Sequence, residues 1–258
     1  MNFDFTSKNG NKCSIIPSYD LILAYILKLR QNASFKFLTS IIGFDFKDWF
    51  WKINQLFYQW SVNSFKKWNH IDLINHSVKF YGRTLVAIGD GTEQIVKDFI
   101  DSNESLTTFS GKKGFNSITK FCWVSPKGSL ILATDSYRGA LVDINLCSQD
   151  KYMLNLPKGS YVGVDGGIKG IKDYYPNCIL PCESRKELTD DEMEWNDKFK
   201  RHRTVVENYF CAIKKFKILT HKFRYNGDLE EVLKKHHQIF IVCAGFIDQF
   251  IYPNGLRG

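Results

Sequence analysis

Three acidic residues mark where this chain could do chemistry. Asp90 follows the apolar run from Leu85 to Gly89 and precedes Gly-Thr-Glu; Asp165 follows "YVGV" and precedes two glycines. Glu207 lies in "RTVVENYFCAIK", residues 203–214. Carboxylates just beyond the ends of adjacent buried strands converge at the sheet edge, where ligands of open α/β sheets sit. The flanking glycines allow a substrate or another chain to approach closely. Two aspartates and a glutamate are hard oxygen donors, which suit Mg2+ or Mn2+ far better than zinc. Two such ions about 3.5–4 Å apart can activate a water or hydroxyl and stabilise the leaving oxygen of an in-line phosphoryl transfer. Taken singly, each aspartate also reads as an ordinary turn residue.

Helix geometry groups the charges around Glu207. At about 100° per residue, Glu207 lies roughly 40° around the helix from Arg203, and Lys214 roughly 20° from Glu207. Val205, Val206, Tyr209, Phe210, Ile213 and Phe216 fill the neighbouring stripe, which is expected to pack on a sheet. The three charges therefore border a buried face, although Arg203 and Glu207 also read as a plain i, i+4 ion pair.

The elements that must position these residues fall into two regions. Residues 1–80 are expected to be helical. "SYDLILAYILKLR", "SFKFLTSIIG" and "DFKDWFWKINQLFYQW" carry apolar residues at helical spacing, with Gly43 as a turn. Helix, glycine turn, helix is the outline of a helix-turn-helix, for DNA binding or dimerisation, and equally of a plain bundle. From 81 to 258 the pattern is mixed. "TLVAIGD", "TKFCWVS" and "SLILATD" read as strands, "GALVDINLC" as a helix, "SYVGVDG" as a further strand, and the chain from Thr189 as helix. That order predicts an α/β fold, a mixed sheet flanked by helices.

Composition narrows the function classes. The net charge of +8 suits a polyanionic partner, of which nucleic acid is the commonest, and equally an ordinary basic soluble protein. Seven cysteines form no C-x-x-C motif, and Cys178 and Cys182 have no histidine pair nearby to complete a zinc pattern. Buried thiols in a reducing, intracellular compartment are the expectation, in a bacterial nucleoid or a eukaryotic nucleus. "IFIVCAGFI" is too short to span a bilayer, and "MNFDFTSKNGNK" lacks the apolar run of a signal peptide, so a soluble protein with no membrane partner is expected.

Beyond these residues, the series "IGDGTE", "FSGKKGFNSITKFCWVSPKGSLI", "SYRGALVD", "VGVDGG", "LPCESRKELTDDEMEWNDKFKRHRTVVENYF" and "IKKFKIL" resembles the DDE transposases of the PIF/Harbinger and related bacterial insertion-sequence type. The similarity runs from about residue 84 to 245. It implies an RNase H-like core of the retroviral-integrase superfamily, with the first aspartate on strand one, the second on strand four and the glutamate on a later helix. Asp90, Asp165 and Glu207 match those positions, as catalytic residues and metal ligands for two Mg2+ or Mn2+ ions. Asp143 matches a further family position and ranks second for a metal role. Arg203, Glu207 and Lys214 match the spacing of the family's Y-x2-R-x3-E-x6-K signature, with Lys200 in the tyrosine's place. The resemblance implies that Arg203 and Lys214 hold DNA phosphates. Lys112 and Lys113, in a Gly- and Ser-rich segment, are candidates for DNA backbone contacts or for a solvated loop.

The implied activity is cleavage at transposon ends followed by transfer of the 3′-OH strand into target DNA. The partners are double-stranded DNA and further copies of the chain, as a homodimer or higher oligomer on DNA. A non-catalytic DNA-binding protein that retains the fold is the alternative. A phosphohydrolase built on "GDGT" would need an acid at position 88, which is Ile88.

Overall fold

A computed structural model describes residues 18–65, 68–97, 102–148, 156–183, 187–225 and 227–256. Three helices come first: α1 (Ser18–Gln31), α2 (Phe35–Ile42) and α3 (Phe46–Ser64). Each boundary has a local cause. The Ser34 side chain accepts from the Phe37 N–H to open α2, and Gly43, in the left-handed region at φ 83, closes it. Asp45 accepts from the Lys47 N–H to open α3. A short helix α4 (His70–Asn75) leads into the sheet.

The strands are β1 (Val78–Phe80), β2 (Arg83–Ile95), β3 (Phe109–Ser110), β4 (Phe115–Val124), β5 (Leu130–Ala133), β6 (Tyr137–Arg138), β7 (Ser160–Val164) and β8 (Cys178–Ile179). Helix α5 (Ser102–Thr108) precedes β3, α6 (Asp143–Ser148) follows β6, and α7 (Ile171–Tyr174) separates β7 from β8. The sheet is mixed, in the order β3-β4-β2-β7-β8, with β1 on β2 and with β5 and β6 on β4. β2 pairs antiparallel with β4 and parallel with β7. Leu85, Val86, Ala87 and Ile88 are all fully buried, as expected of a central strand covered on both faces.

Two helices cover one face. α8 (Asp190–Ile213) starts with a reciprocal Thr189–Glu192 capping box and an acidic first turn, both favourable at a helix N-terminus. Its stripe of Val205, Val206, Tyr209, Phe210 and Ile213 is buried, and it packs on β2 and β4. At roughly 1.5–3 kcal/mol per fully buried large apolar side chain, this stripe fixes the helix rotation firmly. After a 3-10 turn (Lys217–Leu219), α9 (Leu229–Phe246) runs along α3. One apolar cluster extends from Leu21, Tyr25 and Phe50 through Ile241 and Val242 to Leu85 and Ile88. Among the described residues no helix is long and apolar enough to cross a membrane.

The α/β class, the mixed sheet and the three leading helices agree with the sequence reading. Three details differ. β2 continues to Ile95, so Asp90 lies inside the strand rather than beyond its end. Gly91 through Ile95 stay extended because they pair antiparallel with Ser117 to Phe121. "GALVDINLC" is helical only from Asp143, because Gly139 donates its N–H to Ser117 O and Ala140 to Thr107 O. The stretch from Thr189 breaks at Lys214, the C-cap of α8, before α9 begins. The cysteines among the described residues are free; Cys122, Cys147, Cys178 and Cys243 are buried, whereas Cys211 is exposed.

Candidate active site

The site forms where β2 outruns its parallel neighbour. Pairing of β2 with β7 ends at Gly89↔Val164, so Asp90 and Asp165 are the next residues on neighbouring strands, about 4.8 Å apart in strand spacing. Beyond that point β2 pairs, among the described residues, with β4 alone, and just past its end Val96 bridges Phe223. The side of β2 left by β7 is open to side chains from elsewhere.

Asp143, at the start of α6, lies against β2 at Gly91. A Cβ at Gly91 would overlap the Asp143 carboxylate, with Asp143 Cγ at 3.1 Å, so the glycine makes room for it. Burial raises the pKa of Asp90; the Gly91 N–H, which donates to Asp90 Oδ1 at 2.8 Å, and Arg203 oppose the rise, while Asp143 and Asp165 add to it. Burial likewise raises Asp143; Lys112 opposes, and Glu93 and Asp165 reinforce. These carboxylates repel one another across a partly desolvated space.

Arg203 and Glu207 reach the site from α8. Arg203 Nη1 donates to Asp165 Oδ1, and Nη2 donates to Glu207 Oε1 at 2.9 Å. Glu207 is thus linked to Asp165 through the guanidinium. Among the described residues no group of three or more His, Cys, Asp or Glu side chains is close enough to hold one ion as they stand. Asp90, Asp165 and Glu207 therefore share one region, with Arg203 between two of them.

A cavity of about 390 Å³ opens beside Asp143 and Glu93, lined also by Lys112, Lys113, Phe115 and Lys214. Lys112 and Lys113 sit in the exposed turn between β3 and β4. Burial lowers the Lys214 pKa and Lys113 lowers it further, while Cys211, Glu93 and Asp90 oppose. The Thr92 hydroxyl, on the same wall, is buried without a hydrogen-bond partner among the described residues. The sequence reading did not single out Glu93, which accepts from the Ser117 hydroxyl at 2.8 Å. Its signal was the two-residue step from Gly91, which puts both on one face of a strand.

The donor set fits a hard divalent cation. Asp90 and Asp143, raised first by burial, gain from a bound positive charge, and oxygen-only donors suit Mg2+ or Mn2+.

A family model described as "DDE superfamily endonuclease" matches residues 89–247. No curated protein and no solved structure matches the chain. The matched span runs from one residue before Asp90 to one residue past the end of α9 and includes every side chain described around the cavity.

Proposed function

Since the chain belongs to the DDE superfamily of endonucleases, we propose that it is a DNA transposase of the PIF/Harbinger and related bacterial insertion-sequence type. It would cut phosphodiester bonds at transposon ends and transfer the 3′-OH strand to target DNA. The observation that carries this reading is the meeting of Asp90, Asp143, Asp165, Arg203 and Glu207 beside a lysine-lined cavity.

Asp90, Asp165 and Glu207 are the residues that would hold Mg2+ or Mn2+, with Asp143 supporting. Bound there, the metal would supply Lewis-acid polarisation of the scissile phosphate and an activated water or hydroxyl. The chain's own groups do the rest. Lys112, Lys113 and Lys214 meet the strand's phosphates as donors around the cavity. Lys214, desolvated and next to Lys113, gains most from an arriving anion. Arg203 has a planar fork of donors matched to a phosphate's oxygens.

Glu207→Gln is expected to abolish Mg2+-dependent nicking of supercoiled DNA that carries the element's ends, while duplex binding stays within about twofold. Nicking at the wild-type rate by this variant would sink the assignment. The second reading, a DNA-binding protein that keeps the fold without cutting, draws support from Arg203, which already pairs with two of the carboxylates. It predicts wild-type DNA binding with no Mn2+-dependent cleavage of any end sequence.

A further inference from the structure

Arg203 stands between two carboxylates that the cleavage reading assigns to metal. Its guanidinium is the less accessible partner, with 26% of the side chain exposed against 47% for Asp165 and 49% for Glu207. It donates to one oxygen of each and also draws on Asp90. Arg203 occupies one oxygen of each carboxylate, and its positive charge repels a divalent ion brought to the remaining oxygens, so the two cations compete for the pair. A guanidinium fork fits a phosphate as well as it fits a pair of carboxylates. Moving it from carboxylates to a DNA phosphate therefore exchanges one set of charge-assisted hydrogen bonds for another.

From this geometry we propose that Arg203 is a positioning residue that holds the cation's place until DNA arrives, so that strand phosphates draw the guanidinium away and free Asp165 and Glu207 for metal. The inference rests on the cleavage reading and adds an order to it: DNA binding makes divalent-ion binding tight. Because linkage between two sites is reciprocal, the ion must tighten DNA binding by the same factor. The device keeps the unloaded site neutralised and limits metal loading where no strand is present to cut.

The test reads metal binding, not activity. Mn2+ affinity of the full chain is measured from the electron paramagnetic resonance signal of the free ion, with and without a short mixed-sequence duplex. In the wild-type protein, Mn2+ binding alone should be weak and should tighten when duplex is added. Arg203→Gln should tighten Mn2+ binding without DNA about three- to thirtyfold, the factor two half-exposed ion pairs are worth together, and duplex should then tighten it by less than the wild-type factor. Arg203→Lys, which keeps the charge but cannot fork onto two carboxylates, should fall between. If Arg203→Gln binds Mn2+ as weakly as wild type, or still gains from duplex by the wild-type factor, the proposal is overturned and the metal reading stands. If no chain binds Mn2+ under any condition, both fall together.

Discussion

Gly91 has no room for a side chain, because the Asp143 carboxylate lies where a Cβ would be. A methyl there must push Asp143 out of the carboxylate cluster. Gly91→Ala should lower nicking at least about tenfold, since displacements of about 1 Å near a reacting centre can cost a hundredfold. Overpacking of about 1–3 kcal/mol should lower Tm by only about 2–10 °C in a chain of this size. Nicking assays beside thermal unfolding separate the two effects, and a variant that cuts at the wild-type rate would remove Asp143 from the chemistry. At this scale much of the candidate site was legible. Asp90 and Asp165 stood out by their apolar runs and glycines, and helical spacing brought Arg203 and Glu207 together. The bond from Arg203 to Asp165 was not legible, because it joins residues 38 apart through a strand and a helix whose mutual placement only packing decides. Glu93 was hidden because β2 was expected to end at Asp90.

At the scale of elements, α9 holds the far end of β2 through the buried imidazole of His236. His236 Nε2 lies 2.9 Å from Gln94 Oε1, its Nδ1 lies 2.7 Å from the Ser136 hydroxyl, and Gln94 Nε2 donates to Ile218 O and His221 O at 2.7 Å each. Its neighbour His237 is pushed down from the usual 6.5 to about 3, by burial first and by the Lys120 charge second. Such a histidine is neutral when folded and takes up a proton on unfolding. Its contribution is therefore full above about pH 6.5 and is lost as pH falls from there towards 3. Asp248 behaves in the opposite sense. Burial raises it from 3.8 to about 7, although its Oδ2 accepts from the Leu130 N–H at 3.0 Å, so its contribution is lost as pH rises through that window. Urea midpoints at pH 7 and pH 5 check both. His237→Gln should lose less stability than wild type on going to pH 5, and Asp248→Asn should gain most at pH 7. A His237→Gln curve parallel to wild type would show that the imidazole is not neutral in the fold. None of this network could be read from sequence, because periodicity marks which face of α9 is buried but not which polar groups meet inside it.

At the scale of the whole molecule, the +8 charge is a statement about partners, and where the charge sits decides which surface meets them. The helical first region and the sheet share one apolar cluster, and Gln238 of α9 donates to Gln55 of α3 across 183 residues of sequence. Sequence patterning separates the two regions by type and is silent on their packing, since each amphipathic face is compatible with many partners. The exposed positions at the start of α3 alternate in sign, Lys47 and Lys52 beside Asp48 with Asp45 at the cap, so this stretch has little net field to draw a polyanion. The cavity rim differs. Lys112, Lys113 and Lys214 bring three cations together beside carboxylates that a metal would neutralise. Each lysine that releases a counterion on meeting a phosphate contributes about 0.9 to the slope of log Kobs against log salt. The triple substitution Lys112→Ala, Lys113→Ala, Lys214→Ala should therefore flatten the slope for duplex binding by about two to three in Mg2+-containing buffer. Lys47→Ala with Lys52→Ala should leave it unchanged within about 0.5. A slope that flattens for the α3 pair and not for the cavity triple would move the DNA path from the carboxylates to the first helices, and with it the site of any chemistry.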